Sequence, residues 1–237
     1  MLPHEAPAET SAGSAVSRER QSPDWHSSVA PRQWHVLGLA VLLAGGPSLT
    51  QDDVDYCHAR RQGGGENYPK VLAVNDAYRL APWADALYAC DPAWWDAHRG
   101  VPDFLGQKWT SSLQAAEKWN LRRVEGDHRP GLSFDPGLIH YGMNSGYQAL
   151  NLAIHFGARK IILLGYDMQC GPNGETHWFG SHPGALEKGA GLYPRFVQNF
   201  RTTLRDLERN GITVINCSRR TALDCFPRLP LEEALPA

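Results

Sequence analysis

The sequence predicts an α/β fold in which a mostly parallel sheet carries helices on both faces. From Trp34 onward, short apolar runs alternate with amphipathic helical patterns, which is typical of parallel strands joined by helices. The apolar runs are rich in Val, Ile and Leu, as expected for strands that are buried on both faces. A length of 237 residues fits one such domain with a tail better than two complete domains.

Five strands are predicted from short apolar runs that end in small or polar residues. They cover residues 39–44, 70–74, 86–89, 160–164 and 212–216. The fourth run, KIILL, is continuous and gives the clearest signal of a buried strand.

Two helices between these strands have recognisable ends. Thr50 is expected to cap the first helix with Asp53 at its third position, so that a hydroxyl and a carboxylate satisfy unpaired N–H groups. Asn144 and Ser145 are expected to start another helix, which ends at Gly157.

A further helix is predicted near the C-terminus from one apolar stripe. The helix ends at Asn210-Gly211, and the stripe at helical spacing consists of Phe196, Phe200, Leu204 and Leu207. We therefore expect one continuous helix there.

Two segments show no such pattern. Residues 1–32 are rich in Ala, Ser, Pro and Glu and have few large hydrophobic residues, so they are predicted to be a disordered tail. Residues 100–140 combine several breaks with scattered Trp and Arg, and an irregular insertion or lid is predicted there. The folded unit is then a single domain over 33–237.

Composition and cysteine usage exclude several classes of protein. The chain is 42% hydrophobic and 20% charged, and its formal charge of -2 gives no general attraction to nucleic acid. The five cysteines include no C-x-x-C pair, which argues against a disulfide scaffold or a structural zinc site and favours a reducing compartment. The one strongly apolar run, 36–44, is shorter than the roughly 18 residues that span a membrane. We expect a cytoplasmic protein without a membrane partner, and a signal peptide is the less favoured interpretation of this run.

Polar residues follow four of the predicted strands. The carboxyl ends of parallel strands meet at one edge of a sheet, where ligands collect. The segments expected there are Gly45-Gly46-Pro47-Ser48, Asn75-Asp76, Cys90-Asp91 and Gly165-Tyr166-Asp167.

Two glycine-containing loops at this edge predict a nucleotide site. The loop 45–50 allows close backbone approach and leads into a helix N-terminus, where a phosphate is stabilised. It lacks the lysine of a Walker loop and is not a full G-x-G-x-x-G fingerprint. The loop 142–146 also opens a helix and offers two hydrogen-bonding side chains. Each loop alone is equally consistent with a simple helix start.

Five segments together resemble a known family. They are AGGPSL, VLAVNDAY, ADALYACD, NSGYQALNLAIHFGARKIILLGYDM and HWFGSHP. This series is similar to the group that joins bacterial sialyltransferases, motility-accessory-factor glycosyltransferases and 6-hydroxymethylpterin pyrophosphokinase-like proteins, and most of all to its small phage-encoded members. The resemblance covers roughly residues 41–235, with the segment 100–140 left out. It implies a Rossmann-like fold in the GT-A-like variant of the sialyltransferases.

The resemblance also implies roles for individual residues. The turn Gly46-Pro47-Ser48 would lie against the nucleotide phosphate, and Asn75 would hold the nucleotide. The segment Asn144-Ser145-Gly146 would contact the nucleotide or its sugar, and Asp167 would lie near the base or ribose. A histidine in the segment 177–182 would be the general base.

The chemistry of glycosyl transfer suggests further candidates. The acceptor hydroxyl must lose a proton, and an imidazole with a pKa near 6.5 suits that task. Either His177 or His182 is the candidate base, and the choice between them stays open. Charge on the leaving phosphate must be neutralised, for which Tyr193 and Arg195 are candidates.

A metal ion is not expected in this reaction. Asp53-Val54-Asp55 has the Asp-x-Asp spelling of metal-dependent glycosyltransferases, but it falls in the first turns of a helix, where capping carboxylates are common. Magnesium would be needed only by a pyrophosphokinase-like enzyme that uses ATP. Its oxygen ligands would then be Asp76, Asp91 and Asp167.

Tryptophan and arginine clusters allow two interpretations each. The cluster near the third strand would pack on the sheet, with one ring left to wall a base or sugar; it comprises Trp83, Trp94 and Trp95. A stripe of Arg201, Arg205 and Arg209 is most simply a solvated helix face. It would also suit a DNA acceptor, since some phages glycosylate modified bases, and the target base would then have to be exposed.

These observations predict a cytoplasmic glycosyltransferase-like enzyme, in the host cytoplasm if it is phage-encoded. It would move a sugar from a nucleotide-activated donor to a hydroxyl acceptor, with no cofactor beyond the donor. One alternative is an ATP- and magnesium-dependent pyrophosphokinase-like transferase. The other is a non-catalytic nucleotide-binding or structural phage protein.

Overall fold

The structure is a computed structural model that describes residues 38–63, 68–180 and 190–235. The predicted tail 1–32 and the candidate base His182 lie outside the described residues. No helix in these three ranges is long and apolar enough to cross a membrane.

A seven-stranded parallel sheet forms the centre of the molecule. Nine strands occur in the described ranges: β1 (Leu39–Leu43), β2 (Lys70–Val74), β3 (Ala86–Tyr88), β4 (Gln107–Thr110), β5 (Arg122–Arg123), β6 (Glu125–Asp127), β7 (Leu138–His140), β8 (Lys160–Leu164) and β9 (Thr213–Asn216). The main sheet has the order β5-β4-β3-β2-β1-β8-β9, with parallel pairing throughout, and β6 pairs with β7 in a separate parallel sheet.

Helices cover both faces of the main sheet. They are α1 (Gln51–Gly63), α2 (Pro92–Ala97), α3 (Leu113–Trp119), α4 (Ser145–His155), α5 (Tyr193–Arg201), α6 (Leu204–Arg209) and α7 (Leu231–Ala234). Successive strand residues point to opposite faces. Leu42 and Leu163 therefore pack in one core with α4, α5 and α6, whereas Leu43 and Ile162 pack in another with α1, α2, α3 and α7. This is an α/β, Rossmann-like architecture, as predicted.

The strand order creates a crevice beside β1. The chain builds the sheet outward from β1 through β2, β3, β4 and β5, and then returns to place β8 on the other side of β1. Ala40 pairs with Lys70 of β2 and with Ile161 of β8. The connections after β1 and β8 lead to helices on opposite faces of the sheet, and open α/β sheets bind ligands at the carboxyl edge where this happens.

The predicted strands and two of the predicted helix starts are confirmed, with small shifts at their ends. In α1, Thr50 Oγ1 accepts a hydrogen bond from the Asp53 backbone N–H at 3.3 Å, and Asp53 Oδ2 accepts one from the Thr50 backbone N–H at 3.1 Å. This is the reciprocal cap that the sequence predicts. In α4, Asn144 Oδ1 accepts the Tyr147 N–H at 2.9 Å, and Gly157 follows the helix with φ of 106°.

The prediction of an irregular segment over 100–140 is wrong. This part of the chain contains β4, α3 and β5, which extend the main sheet, as well as β6 and β7. The strand pattern is weak because β4 and β5 are short and lie at the sheet margin. Of the four residues of β4, only Trp109 and Thr110 are buried.

The prediction of one long helix near the C-terminus is also wrong, because the helix breaks between α5 and α6. The Thr202 and Thr203 hydroxyls donate to the carbonyls of Asn199 and Phe200, each at 2.7 Å. Their backbone N–H groups bond the same two carbonyls three residues back, so the α-helical ladder is interrupted. Leu204 consequently turns outward and is 41% exposed.

Candidate functional site

A cleft at the carboxyl edge of the sheet collects most of the predicted site residues. It has a cavity volume of about 160 Å³. Walls come from the ends of β1, β2, β3 and β8 and from the first residues of α4 and α5. The predicted residues that line it are Gly45, Gly46, Pro47, Asn75, Asp91, Asn144, Ser145, Gly146, Asp167, His177 and Tyr193.

The turn after β1 is pressed against the turn after β8. The Gly46 N–H donates to the Gly165 carbonyl at 2.8 Å. A Cβ atom on Gly46 would lie 2.5 Å from Asp167 Oδ1 and closer still to the Gly165 oxygen. Glycine is therefore required at this position for close packing of the two turns.

Asp167 connects the same two turns through Ser48. Its Oδ2 accepts the Ser48 backbone N–H and its Oδ1 accepts the Ser48 hydroxyl, both at 2.7 Å. Burial raises the pKa of Asp167 to about 6, while the bonds from Ser48 and the charge of Arg220 act in the opposite direction. A carboxyl group with this pKa changes its charge inside the cleft close to neutral pH. Ser48 itself does not line the cleft and acts through Asp167.

Asn75 follows β2 in a left-handed conformation, with φ of 50°. Asparagine tolerates this region better than most residues, because its short polar side chain bonds locally. Asn75 starts the 3-10 helix Asn75–Arg79 and lines the cleft.

The N-terminus of α4 forms another wall. Asn144 caps the helix, and the first-turn N–H groups of such a helix have no partner within it. Ser145 Oγ accepts the backbone N–H of Cys90 at 3.3 Å and donates to the Cys90 sulfur at 3.1 Å, which joins this wall to the end of β3. An anion at this position would be stabilised by the helix dipole and the unpaired N–H groups.

His177 lies against the glycine turn. A Cβ atom on Gly45 would lie 3.1 Å from His177 Nδ1, and the N–H of the next residue, Trp178, donates to the Gly45 carbonyl at 3.1 Å. The imidazole stacks on Phe179 with 5.1 Å between ring centroids. Of the two candidate bases, His177 therefore lies in the cleft, whereas His182 lies outside the described residues.

Of the two predicted phosphate partners, Tyr193 lines the cleft and Arg195 does not. Tyr193 lines the cleft from the start of α5, and its hydroxyl donates to the Thr176 carbonyl at 3.4 Å. Arg195 is exposed and does not line the cleft, because it projects from the outer side of the same helix turn.

Asp76 lies behind the cleft wall rather than in it. It is 3% exposed and accepts hydrogen bonds from Trp94 Nε1 at 2.8 Å and from His98 Nε2 at 3.1 Å. Trp94 is the tryptophan that lines the cleft, whereas Trp95 is buried in the core and Trp83 stacks on His58.

Several lining residues were not predicted. They are Ala44, Val74, Met168, Gln169, Thr176 and Phe196. Gly165 also lines the cleft, and it belongs to a strand-end segment that the sequence predicts at this edge. Gln169 and Thr176 lie in the long connection after β8, where no periodicity indicates which side chains turn inward.

Charged groups outside the cleft have partners of their own. Asp53 is buried and pairs with Arg219 at 2.8 Å, in addition to its role at the helix cap. Arg201 pairs with Asp224 at 2.8 Å, and Arg205 and Arg209 follow on the separate helix α6. Across the three described ranges, no group of three or more His, Cys, Asp or Glu side chains is arranged to hold a metal ion.

The cleft can bind an anionic ligand through backbone N–H groups and present an imidazole and a carboxyl group to it.

No protein-family model matches the chain, and no curated protein shows significant similarity to it.

Proposed function

We propose that this chain is a transferase that takes a sugar from a nucleotide-activated donor and passes it to a hydroxyl acceptor. One observation carries the proposal: the glycine turn after β1, Asn75, the N-terminus of α4, Asp167 and His177 all line a single cleft. These segments are distant in sequence, and each brings a group that a nucleotide or its transfer requires.

Some of these groups would bind the nucleotide-sugar donor, and others would take part in the transfer reaction. The start of α4 offers backbone N–H groups to the phosphate, where leaving-group charge develops, and the glycine turn allows the phosphate to approach the backbone closely. Asn75 offers an amide to the nucleoside, and Trp94, which is 3% exposed, borders the cleft beside it. His177 accepts the proton of the acceptor hydroxyl, and Tyr193 offers a hydroxyl near the phosphate. No residue of this scheme requires a metal ion.

Thermal unfolding with added nucleotides tests the proposal directly. We expect a nucleotide of the donor type, CMP, UDP or GDP, to raise the melting temperature without magnesium, because a ligand of the folded state stabilises it. A rise with ATP only in the presence of magnesium would instead support a pyrophosphokinase-like transferase.

A matched pair of glycine variants tests whether the nucleotide binds in this cleft. Gly45→Val places a branched side chain beside His177 in the cleft and should abolish the rise, whereas Gly191→Val, at a position where a Cβ meets nothing within 4 Å, should leave it unchanged. Absence of a response to any nucleotide in the unmodified protein would refute a nucleotide-dependent function.

A further inference from the structure

Behind the cleft, Asp76, Trp94 and His98 are linked by mutual hydrogen bonds and ring stacking. The Trp94 indole N–H donates to Asp76 Oδ2 at 2.8 Å, and His98 Nε2 lies 3.1 Å from Asp76 Oδ1. His98 Nδ1 lies 2.8 Å from the Trp94 carbonyl oxygen. The imidazole also stacks on the indole, with 4.0 Å between ring centroids and 21° between the planes. His98 thus contacts the backbone, the ring and the hydrogen-bond partner of Trp94.

The partners of His98 determine which protonation state completes these hydrogen bonds. A backbone carbonyl and a carboxylate are both acceptors, so each of the two ring nitrogens has to donate. A neutral imidazole has one N–H group and can make only one of the two bonds. The imidazolium makes both, and its charge also favours the stacked indole.

The surroundings of His98 contain charges of both signs. Burial disfavours the charged ring, and Arg79, 3.7 Å from Asp76 Oδ1, acts in the same direction. The hydrogen bonds to Asp76 and to the Trp94 carbonyl outweigh both, so the pKa of His98 lies above its ordinary value. Tyr78 stands edge-on to both rings at 6.0 Å, and burial raises the pKa of its phenol, which keeps it neutral.

We propose that His98 is a positioning residue of the cleft: its imidazolium holds the buried Trp94 in place where it borders the cleft, and loss of one proton releases one of the two bonds. Because Trp94 lines the cleft and Asn75 precedes Asp76 in the same 3-10 helix, the release changes the cleft surface. Nucleotide affinity then falls as the pH rises through the titration of His98. This consequence rests on the proposed function, whereas the clamp on Trp94 does not.

The clamp is tested without any ligand. The indole N–H signal of Trp94, assigned in a ¹⁵N-labelled NMR spectrum by its absence in Trp94→Phe, is followed from pH 6 to pH 9. We expect it to move with a midpoint above 6.5 in the unmodified protein and to stay fixed in His98→Gln. A signal that does not titrate, or that titrates equally in His98→Gln, overturns the proposal.

His58→Gln is the matched control. His58 also stacks on a tryptophan, Trp83, with 4.2 Å between centroids, but its ring nitrogen contacts Gln62 rather than a carboxylate. The Trp94 signal should titrate in this variant as it does in the unmodified protein.

The second measurement is the dissociation constant of the nucleotide that gives the largest thermal shift. We expect the affinity of the unmodified protein, divided by that of His98→Gln, to fall roughly 3- to 10-fold between pH 6 and pH 9, the effect of one hydrogen bond. The ratio removes the titration of the ligand and of Asp167. A constant ratio contradicts the link to affinity, and a protein that binds no nucleotide at any pH refutes the proposed function while the NMR titration still decides the clamp.

Discussion

At the scale of single residues, Asp167 has an unusual environment for a carboxyl group. It is 2% exposed, yet its hydrogen bonds come from an uncharged partner, Ser48. Neutral donors compensate for only part of the hydration that a carboxylate loses on burial. The protonated form is therefore favoured, and the pKa of Asp167 rises.

The pH dependence of stability follows from this shift. The folded pKa is about 6 against an ordinary 3.8, so the folded state holds the Asp167 proton more tightly than the unfolded state. The stability contributed by this group is complete below pH 4 and is lost as the pH rises through 6. We expect the free energy of unfolding of the unmodified protein, relative to Asp167→Asn, to fall by about 2 kcal/mol from pH 4 to pH 7 in urea titrations. A relative stability independent of pH would contradict the assignment. Ser48→Ala, which removes a donor to the charged form, should steepen the dependence.

His177 carries the prediction for catalysis. If its imidazole accepts the acceptor proton, His177→Ala should reduce turnover by about 10²- to 10⁴-fold, while the thermal shift caused by the nucleotide survives. Turnover is measured as release of free nucleotide from the donor sugar. His182→Ala is measured in parallel, because the sequence allows either histidine, and His58→Ala is a control that does not line the cleft. Full activity in both His177→Ala and His182→Ala would eliminate histidine as the base.

At the scale of elements, the cleft depends on turns that follow strands more than on the helices themselves. The turns after β1 and β8 touch through Gly46 and Gly165, and the turn after β2 turns sharply through left-handed Asn75. The break between α5 and α6 is likewise set by side-chain hydrogen bonds, those of Thr202 and Thr203. Thr202 Oγ1 accepts the Gly131 N–H at 2.9 Å there, so the broken helix also anchors the segment before β7.

Gly46→Ala tests the contact between the two turns. The added Cβ would overlap the Gly165 oxygen and Asp167 Oδ1, so one turn has to move. We expect the free energy of unfolding to fall by about 1–3 kcal/mol and nucleotide binding to be lost. The control is Gly63→Ala at the end of α1, where a Cβ meets nothing within 4 Å and stability should change little. Equal stability and binding in both variants would show that the turns are not closely packed.

At the scale of the whole molecule, strand order brings the site together. β1 lies between β2 and β8, although more than 80 residues separate β2 from β8 in the chain. Asn75 and Asp167 therefore border the same cleft only because the chain crosses back over the sheet. The two cores, one on each face, hold this order by burying alternate residues of every central strand.

Much of this arrangement is predictable from local sequence. Apolar runs such as KIILL identify the central strands, and the reciprocal bonds of Thr50 and Asp53 follow from residue type and spacing. Parallel strands must end at a common edge, which is why the strand-end residues Gly45, Asn75 and Asp167 are found in one cleft. These features depend on neighbouring residues or on a general rule of sheets.

Only the tertiary structure decided the rest, because it depends on contacts between segments that are distant in sequence. Asp76 and Arg195 resemble site residues by position, but one turns into the wall and bonds Trp94 while the other turns to solvent. Residues 107–123 form two strands and a helix although their apolar pattern is weak. The two strands form because they pair with β3 and with each other at the margin of the main sheet. The local sequence determined β1, β2, β3, β8 and β9 and where they end, and long-range packing determined the remaining strands and which side chains at the strand ends face the cleft.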